Sequence, residues 1–184
     1  MPTIMSHAAI PIAGALLLGR SRLSVPVIVT GIAFSMLPDA DVIGFGLGID
    51  YADSWGHRGA SHSLLFAAIA ALLATALIRP DRYLLVGLFL FASMASHGLL
   101  DTLTNGGLGT ALFWPWDEAR HFAPFTPVAV SPIGISDFLS TRGMKVLQSE
   151  AIWIWIPLAV LVAMILGLKN WRARWLRQNG TAQS

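Results

Sequence analysis

The chain is 184 residues long, 55% hydrophobic and only 12% charged, with a mean hydropathy of +0.65. A soluble domain carries about a quarter of its residues as charges, so this composition excludes an ordinary soluble domain and indicates a membrane protein. The absence of cysteine excludes disulfides and thiolate metal sites, and the basic residues behind the net charge of +2 are scattered in short loops instead of forming a patch for nucleic acid.

A helix needs about 20 apolar residues to cross a bilayer, within a range of about 17–25. Five apolar segments follow in chain order, at roughly 3–19, 25–38, 62–78, 83–103 and 151–168. The first contains His7 and Pro11 and is expected to be tilted or only partly inserted. It does not read as a cleaved signal peptide, because no basic region precedes it and Arg20 and Arg22 follow it. The second is short and bracketed by Pro26 and Pro38. The expected fold class is therefore all-α, an integral membrane helical bundle of four to five transmembrane segments. A single domain is expected over residues 1–177, with a disordered tail at 178–184.

Orientation follows from the basic residues of the short loops. Arg20, Arg22, Arg79, Arg82, Lys169, Arg172, Arg174 and Arg177 all fall on one side, which is eight of the 12 Lys and Arg. That side should be cytoplasmic, and the N-terminus and the long stretch 104–150 should face the periplasm. On this map His7, Asp39, Asp41, His57, His62, His97 and Asp101 come from four segments yet fall at one membrane face, the outer one.

The sharpest local signal is 96-SHGLLD-101. His97 and Asp101 are at i and i+4 of a helix, so their side chains are neighbours on one face and can reach one ion. His57 and His62 are separated by Gly59, which suggests a turn. Asp39 and Asp41 are expected to point the same way, provided the backbone is extended after Pro38. Four histidines and three aspartates suit one or two divalent ions, Zn2+ being the natural candidate, with a carboxylate bridging a pair. Ionisable groups at membrane depth are costly and so are functional suspects. The plainer alternatives are a turn signal at Asp39 and Asp41 and a packing hydrogen bond between His97 and Asp101. His121 has no partner at metal spacing.

Arg58, beside His57, can hold a phosphate by a bidentate contact or anchor to lipid headgroups. Ser61 and Ser63 can orient His62 or cap a helix. Glu150 reads as a general base, a further ligand, or a helix-start carboxylate. The stretch 104–150 is the least regular part, and its Trp114 and Trp116 suit a membrane interface. It is expected to be a surface-hugging loop, or a lid that admits an amphiphilic substrate sideways.

The runs LPDAD, HRGASHSLL, SHGLLDTLTNGG, FWPW and SPIG, in that order, resemble the YdjM-like bacterial inner-membrane proteins, a family described as metal-dependent hydrolases. The resemblance implies that Asp39, Asp41, His57, His62, His97 and Asp101 bind metal, with His7 at the matching N-terminal position. More remotely the family is similar to zinc-dependent phospholipase C and related nucleases, which use His-x-x-x-Asp and His-x-x-x-Glu pairs. Only the first pair occurs here, as His97 and Asp101, so two ions are expected instead of three. The functional expectation is a metal-dependent phosphoesterase acting on a lipid or lipid-linked substrate, with Arg58 and Glu150 as catalytic candidates. Two rival readings use the same cluster: a metal-ion or proton transporter, and a scaffold clipped by a structural metal.

Overall fold

The computed structural model describes residues 1–132 and 135–180. Its helices are α1 (Ile4–Leu18), α2 (Val25–Met36), the short α3 (Ile43–Gly46), α4 (Leu64–Ile78), α5 (Tyr83–Thr102), α6 (Ile135–Phe138), α7 (Thr141–Glu150) and α8 (Ile156–Gly180). No strand is present among the described residues, which gives an all-helical bundle.

Among the described residues, three helical stretches are long and apolar enough to cross a membrane: Val25–Gly46, Tyr83–Thr102 and Thr141–Asn179. α1 and α4 are equally apolar, but each has 15 residues, which is about 22 Å of helix against a hydrocarbon core of about 30 Å. The second span outruns the sequence expectation because the chain does not leave the helix at Pro38. It tightens instead into a 3-10 helix over Leu37–Val42 that runs into α3. Proline suits the first turn of a helix, where its missing N–H is not needed.

α5 is the central element, packed against α1, α2 and α4. Leu23, Val27, Ala71, Val86, Phe89 and Leu90 form the core at one end. Gly14 and Gly31 leave the space that the Phe89 ring occupies, so small residues on α1 and α2 bring both helices close to α5. The large apolar side chains on the outer faces are bare, Leu77 at 84% exposure for example, as expected of surfaces that lipid covers.

The stretch 104–150 is irregular up to residue 132 and then contains α6 and α7. Ser140 caps α7 by accepting a hydrogen bond from the backbone N–H of Arg142, and a π-turn over Ala151–Trp155 joins α7 to α8. The stretch thus ends in a helix continuous with the last span. Trp116 is exposed, while Trp114 packs edge-on against Trp55. At the tail α8 continues to Gly180, beyond the expected boundary at 177, and the remainder, 181–184, lies outside the described residues.

Candidate metal centre

At the end of the bundle where α1 begins and α5 ends, one ligand atom from each of Asp39, His62, His97 and Asp101 lies within 4.8 Å of the others. His62, His97 and Asp101 are buried, and Asp39 keeps only 11% of its side chain exposed. The approach of His62 to His97 depends on Gly98. A Cβ there would collide with the carbonyl oxygen of His62, so the missing side chain lets the 60–62 turn lie against α5. Ser63 then starts α4 by accepting from the N–H of Phe66 at 3.1 Å.

Hydrogen bonds to the far side of each ring decide which nitrogen faces the cluster. His97 Nδ1 lies 2.7 Å from the carbonyl oxygen of Ser35. A carbonyl only accepts, so Nδ1 carries the proton and Nε2 of the neutral ring is a bare lone pair. His62 Nδ1 lies 3.2 Å from Asp41 Oδ2, which holds a proton on Nδ1 and leaves Nε2 bare when the ring is neutral. The two Nε2 atoms are 3.1 Å apart, where two lone pairs repel unless a proton or a cation lies between them.

The carboxylates bear on the same point. His97 Nε2 is 3.3 Å from Asp39 Oδ1, and His62 Nε2 is 3.5 Å from Asp101 Oδ2. Four donors at about 2.0–2.2 Å around tetrahedral zinc stand about 3.3–3.6 Å from one another, and the closest separations here run from 3.1 Å to the 3.7 Å between His62 Nε2 and Asp39 Oδ1. Both oxygens of Asp39 and of Asp101 lack a hydrogen-bond partner although buried, as do both ring nitrogens of His7. Buried polar groups are normally satisfied, and an ion at this point gives both carboxylates a partner. The residues therefore fit a divalent metal. His7 stacks on His97 with ring centroids 3.7 Å apart, and its Nε2 is 3.6 Å from Asp101 Oδ1, which places a third imidazole at the margin of the quartet.

Asp41, His57 and His62 form a second grouping with metal spacing, but its hydrogen bonding is different. Asp41 Oδ1 lies 2.6 Å from His57 Nδ1, while Oδ2 accepts from the N–H of Arg58 at 3.1 Å and from Ser61 Oγ at 2.8 Å and faces His62 Nδ1. Oδ2 is filled by three donors and Oδ1 is paired with His57, the arrangement of a carboxylate that orients imidazoles from behind. The expectation that Asp39 and Asp41 point the same way is corrected here. In a 3-10 helix of three residues per turn, positions two apart are rotated by about 120° instead of sharing a face. Asp39 meets His62 and His97, and Asp41 meets His57 and Ser61.

The two catalytic candidates have other occupations. Arg58 is 1% exposed and has φ 64°. Its Nε is 3.0 Å from Asp101 Oδ2, Nη1 donates to the carbonyl oxygen of Gly106 at 3.0 Å, and Nη2 donates to Thr104 Oγ1 at 3.1 Å. The fork expected to grip an anion or a headgroup is thus held inside the protein, against Asp101. Glu150 is fully buried and accepts from Thr3 N, from Thr3 Oγ1 at 2.6 Å and from Ser6 Oγ at 2.7 Å. It is a helix-start carboxylate, though for α1 and not for its own helix, and it is absent from both metal groupings. His121 pairs with Asp117 at 3.0 Å, exposed and apart from the cluster.

Sequence reasoning missed Ser35, Thr104 and Gly98. Ser35 acts through its carbonyl, which leaves no side-chain signal, whereas a glycine directly after His97 within a helix was a readable sign of close approach. The architecture and this buried His/Asp cluster define the class: a multi-pass helical membrane protein with a candidate metal site at one end of its bundle. The chain belongs to the YdjM inner membrane protein family, whose profile matches residues 1–175. It is 40% identical to inner membrane protein YbcI of Escherichia coli (strain K12) over 179 residues, which is 95% of this chain and 100% of that protein. No solved structure matches the chain significantly.

Proposed function

We propose that this inner-membrane protein is a metal-dependent hydrolase that cleaves a phosphoester in a lipid or lipid-linked substrate at the periplasmic face. The observation that carries the reading is the convergence of two imidazole Nε2 atoms, 3.1 Å apart, and the buried carboxylates of Asp39 and Asp101 on one point. A divalent cation bound there, zinc by the donor set, supplies Lewis acidity that activates water and offsets charge on a phosphoryl group. Hydrolysis consumes one water, breaks one P–O bond and releases an alcohol and a phosphate.

The chain's own residues prepare the site. Ser35 and Asp41 hold His97 and His62 in the tautomers that present Nε2. Arg58 holds Asp101 and balances its charge in a water-poor setting. Asp39, the most exposed member of the quartet at 11% of its side chain, marks the side from which substrate arrives. The periplasmic placement is supported by the eight basic residues that gather at the opposite ends of the spans. The transport reading finds no support along α1, α2, α4 and α5, because His7, His97 and Asp101 are the only His or acidic residues on them and all sit at this one end.

The test is metal analysis of the purified protein in detergent, followed by a screen of phosphomonoesters, phosphodiesters and phospholipids. Cleavage that chelation abolishes, zinc restores and His97→Ala lacks supports the proposal. Stoichiometric metal with no ester cleaved would leave the structural-clip reading in its place.

A further inference from the structure

The quartet is closed to bulk water on three of its members, so its accessible side decides what can reach it. Asp39 lines a cavity of about 420 Å³ whose other walls include Ile4, Met5, Val42, Pro132 and Phe138. Asp39 thus borders an almost wholly apolar vestibule, its two unpartnered carboxylate oxygens buried just behind that wall. Met5 also lines a second cavity, of about 600 Å³, between α1 and α8, bounded by Ile12, Ala13, Leu16, Trp155, Ala159 and Ala163 among others. Met5 is a wall of both, the vestibule lying toward the start of α1 and the groove running along that helix. From Met5 to Leu16 is eleven residues, about 16 Å of helix, close to one leaflet of a hydrocarbon core of about 30 Å.

We propose that the vestibule and the α1–α8 groove form one channel for the hydrocarbon chain of the substrate, which enters sideways from the membrane and presents its phosphoryl group beside Asp39. The proposal rests on the hydrolase reading for the nature of the head, and it commits to an anionic amphiphile with a chain long enough to fill one leaflet. A water-soluble ester has a different opening to choose: a polar cavity of about 330 Å³ lined by Tyr51, His57, Arg58, Asp137 and Arg142. That cavity shares Met1, Ser131 and Pro132 with the vestibule, and Ser131 N donates to the carbonyl oxygen of Met1 at 2.9 Å, so a strap of backbone separates the two routes. The exposed alanines of the groove, Ala159 and Ala163, are the small residues that leave it open.

The test uses a non-hydrolysable probe, dodecylphosphonate with a diazirine at the chain end, on the zinc-loaded full chain in phosphatidylcholine nanodiscs. Irradiation and peptide mapping should place adducts on the α1–α8 groove, and chelation of zinc or excess unlabelled dodecylphosphonate should remove them. Butylphosphonate, too short for the groove, should compete poorly. Ala159→Phe and Ala163→Phe fill the groove from exposed positions on α8, and each should abolish the groove adducts while leaving bound zinc unchanged. Adducts spread over the outer faces of α2 and α4, adducts at Tyr51 or Arg142, or labelling indifferent to zinc and to both variants would overturn the channel. Zinc-dependent groove labelling with no ester cleaved would leave the channel standing and remove the hydrolase. Cleavage of a short soluble ester with scattered labelling would do the reverse.

Discussion

Asp39 and Asp41 are separated by one residue and by a difference of role. Asp39 has two unpartnered oxygens beside Nε2 of His97, whereas Asp41 is filled by His57, Ser61 and the Arg58 N–H. Asp39→Ala and His97→Ala should therefore each abolish bound zinc, measured as metal per chain, while His121→Ala leaves it unchanged. Asp41→Asn should keep the same number of ions and weaken binding by about 10–100-fold, the usual effect of removing a carboxylate behind a ligating imidazole. A parent that binds two ions per chain, with Asp41→Asn retaining one, would make Asp41 a ligand after all. Arg58→Ala is predicted to act on stability. It strands the buried Asp101 charge, a loss of about 3–5 kcal/mol for a buried pair broken on one side, and added zinc should recover part of it in thermal unfolding.

At the scale of elements, the site depends on how closely the 60–62 turn, α5 and the start of α1 approach one another. Gly98→Ala puts a methyl group against the His62 carbonyl. Overpacking of this kind costs about 1–3 kcal/mol, and here it should also weaken zinc binding by pushing His62 away from His97. Equal zinc affinity in Gly98→Ala and the parent would show that this approach is not what aligns the two rings. Glu150 works at the same scale, tying the first turn of α1 to the end of α7, and Trp155 Nε1 adds a bond to Ser6 Oγ at 2.7 Å. Glu150→Gln turns one acceptor into a donor facing donors. The expected loss is about 1–3 kcal/mol, seen as a lower unfolding temperature with zinc stoichiometry intact. Loss of turnover at unchanged stability would instead return Glu150 to the role of general base.

For the whole molecule, the charge asymmetry predicts that a reporter fused after Trp175 is cytoplasmic and that a tag inserted beside Glu118 is reached from the periplasm. The opposite pattern would move the centre to the cytoplasmic face and with it the supply of substrate. The helical bundle was legible because each span is an apolar run bounded by charge or by a turn residue, and that pattern survives any packing. The gathering of His and Asp residues at one end was legible for a related reason: a His or Asp beside a long apolar run has few places to go, so those at one end of several runs meet. The length of the second span was not legible, since Pro38 reads equally as a helix stop and as the first turn of a new helix.

By itself the sequence determined the class of protein, the end of the bundle at which the ionisable residues gather, and the types of donor available to a cation. Composition and spacing act locally, and burying a charged group in a membrane costs too much for the chain to scatter such groups. Only the tertiary structure decided which donors are free. The 3-10 turn rotated Asp41 away from Asp39, Asp101 and Thr104 engaged the Arg58 fork, and the start of α1 took up Glu150. Each of these depends on the partner that a side chain meets from a distant part of the chain, and a buried polar atom goes to whichever partner satisfies it.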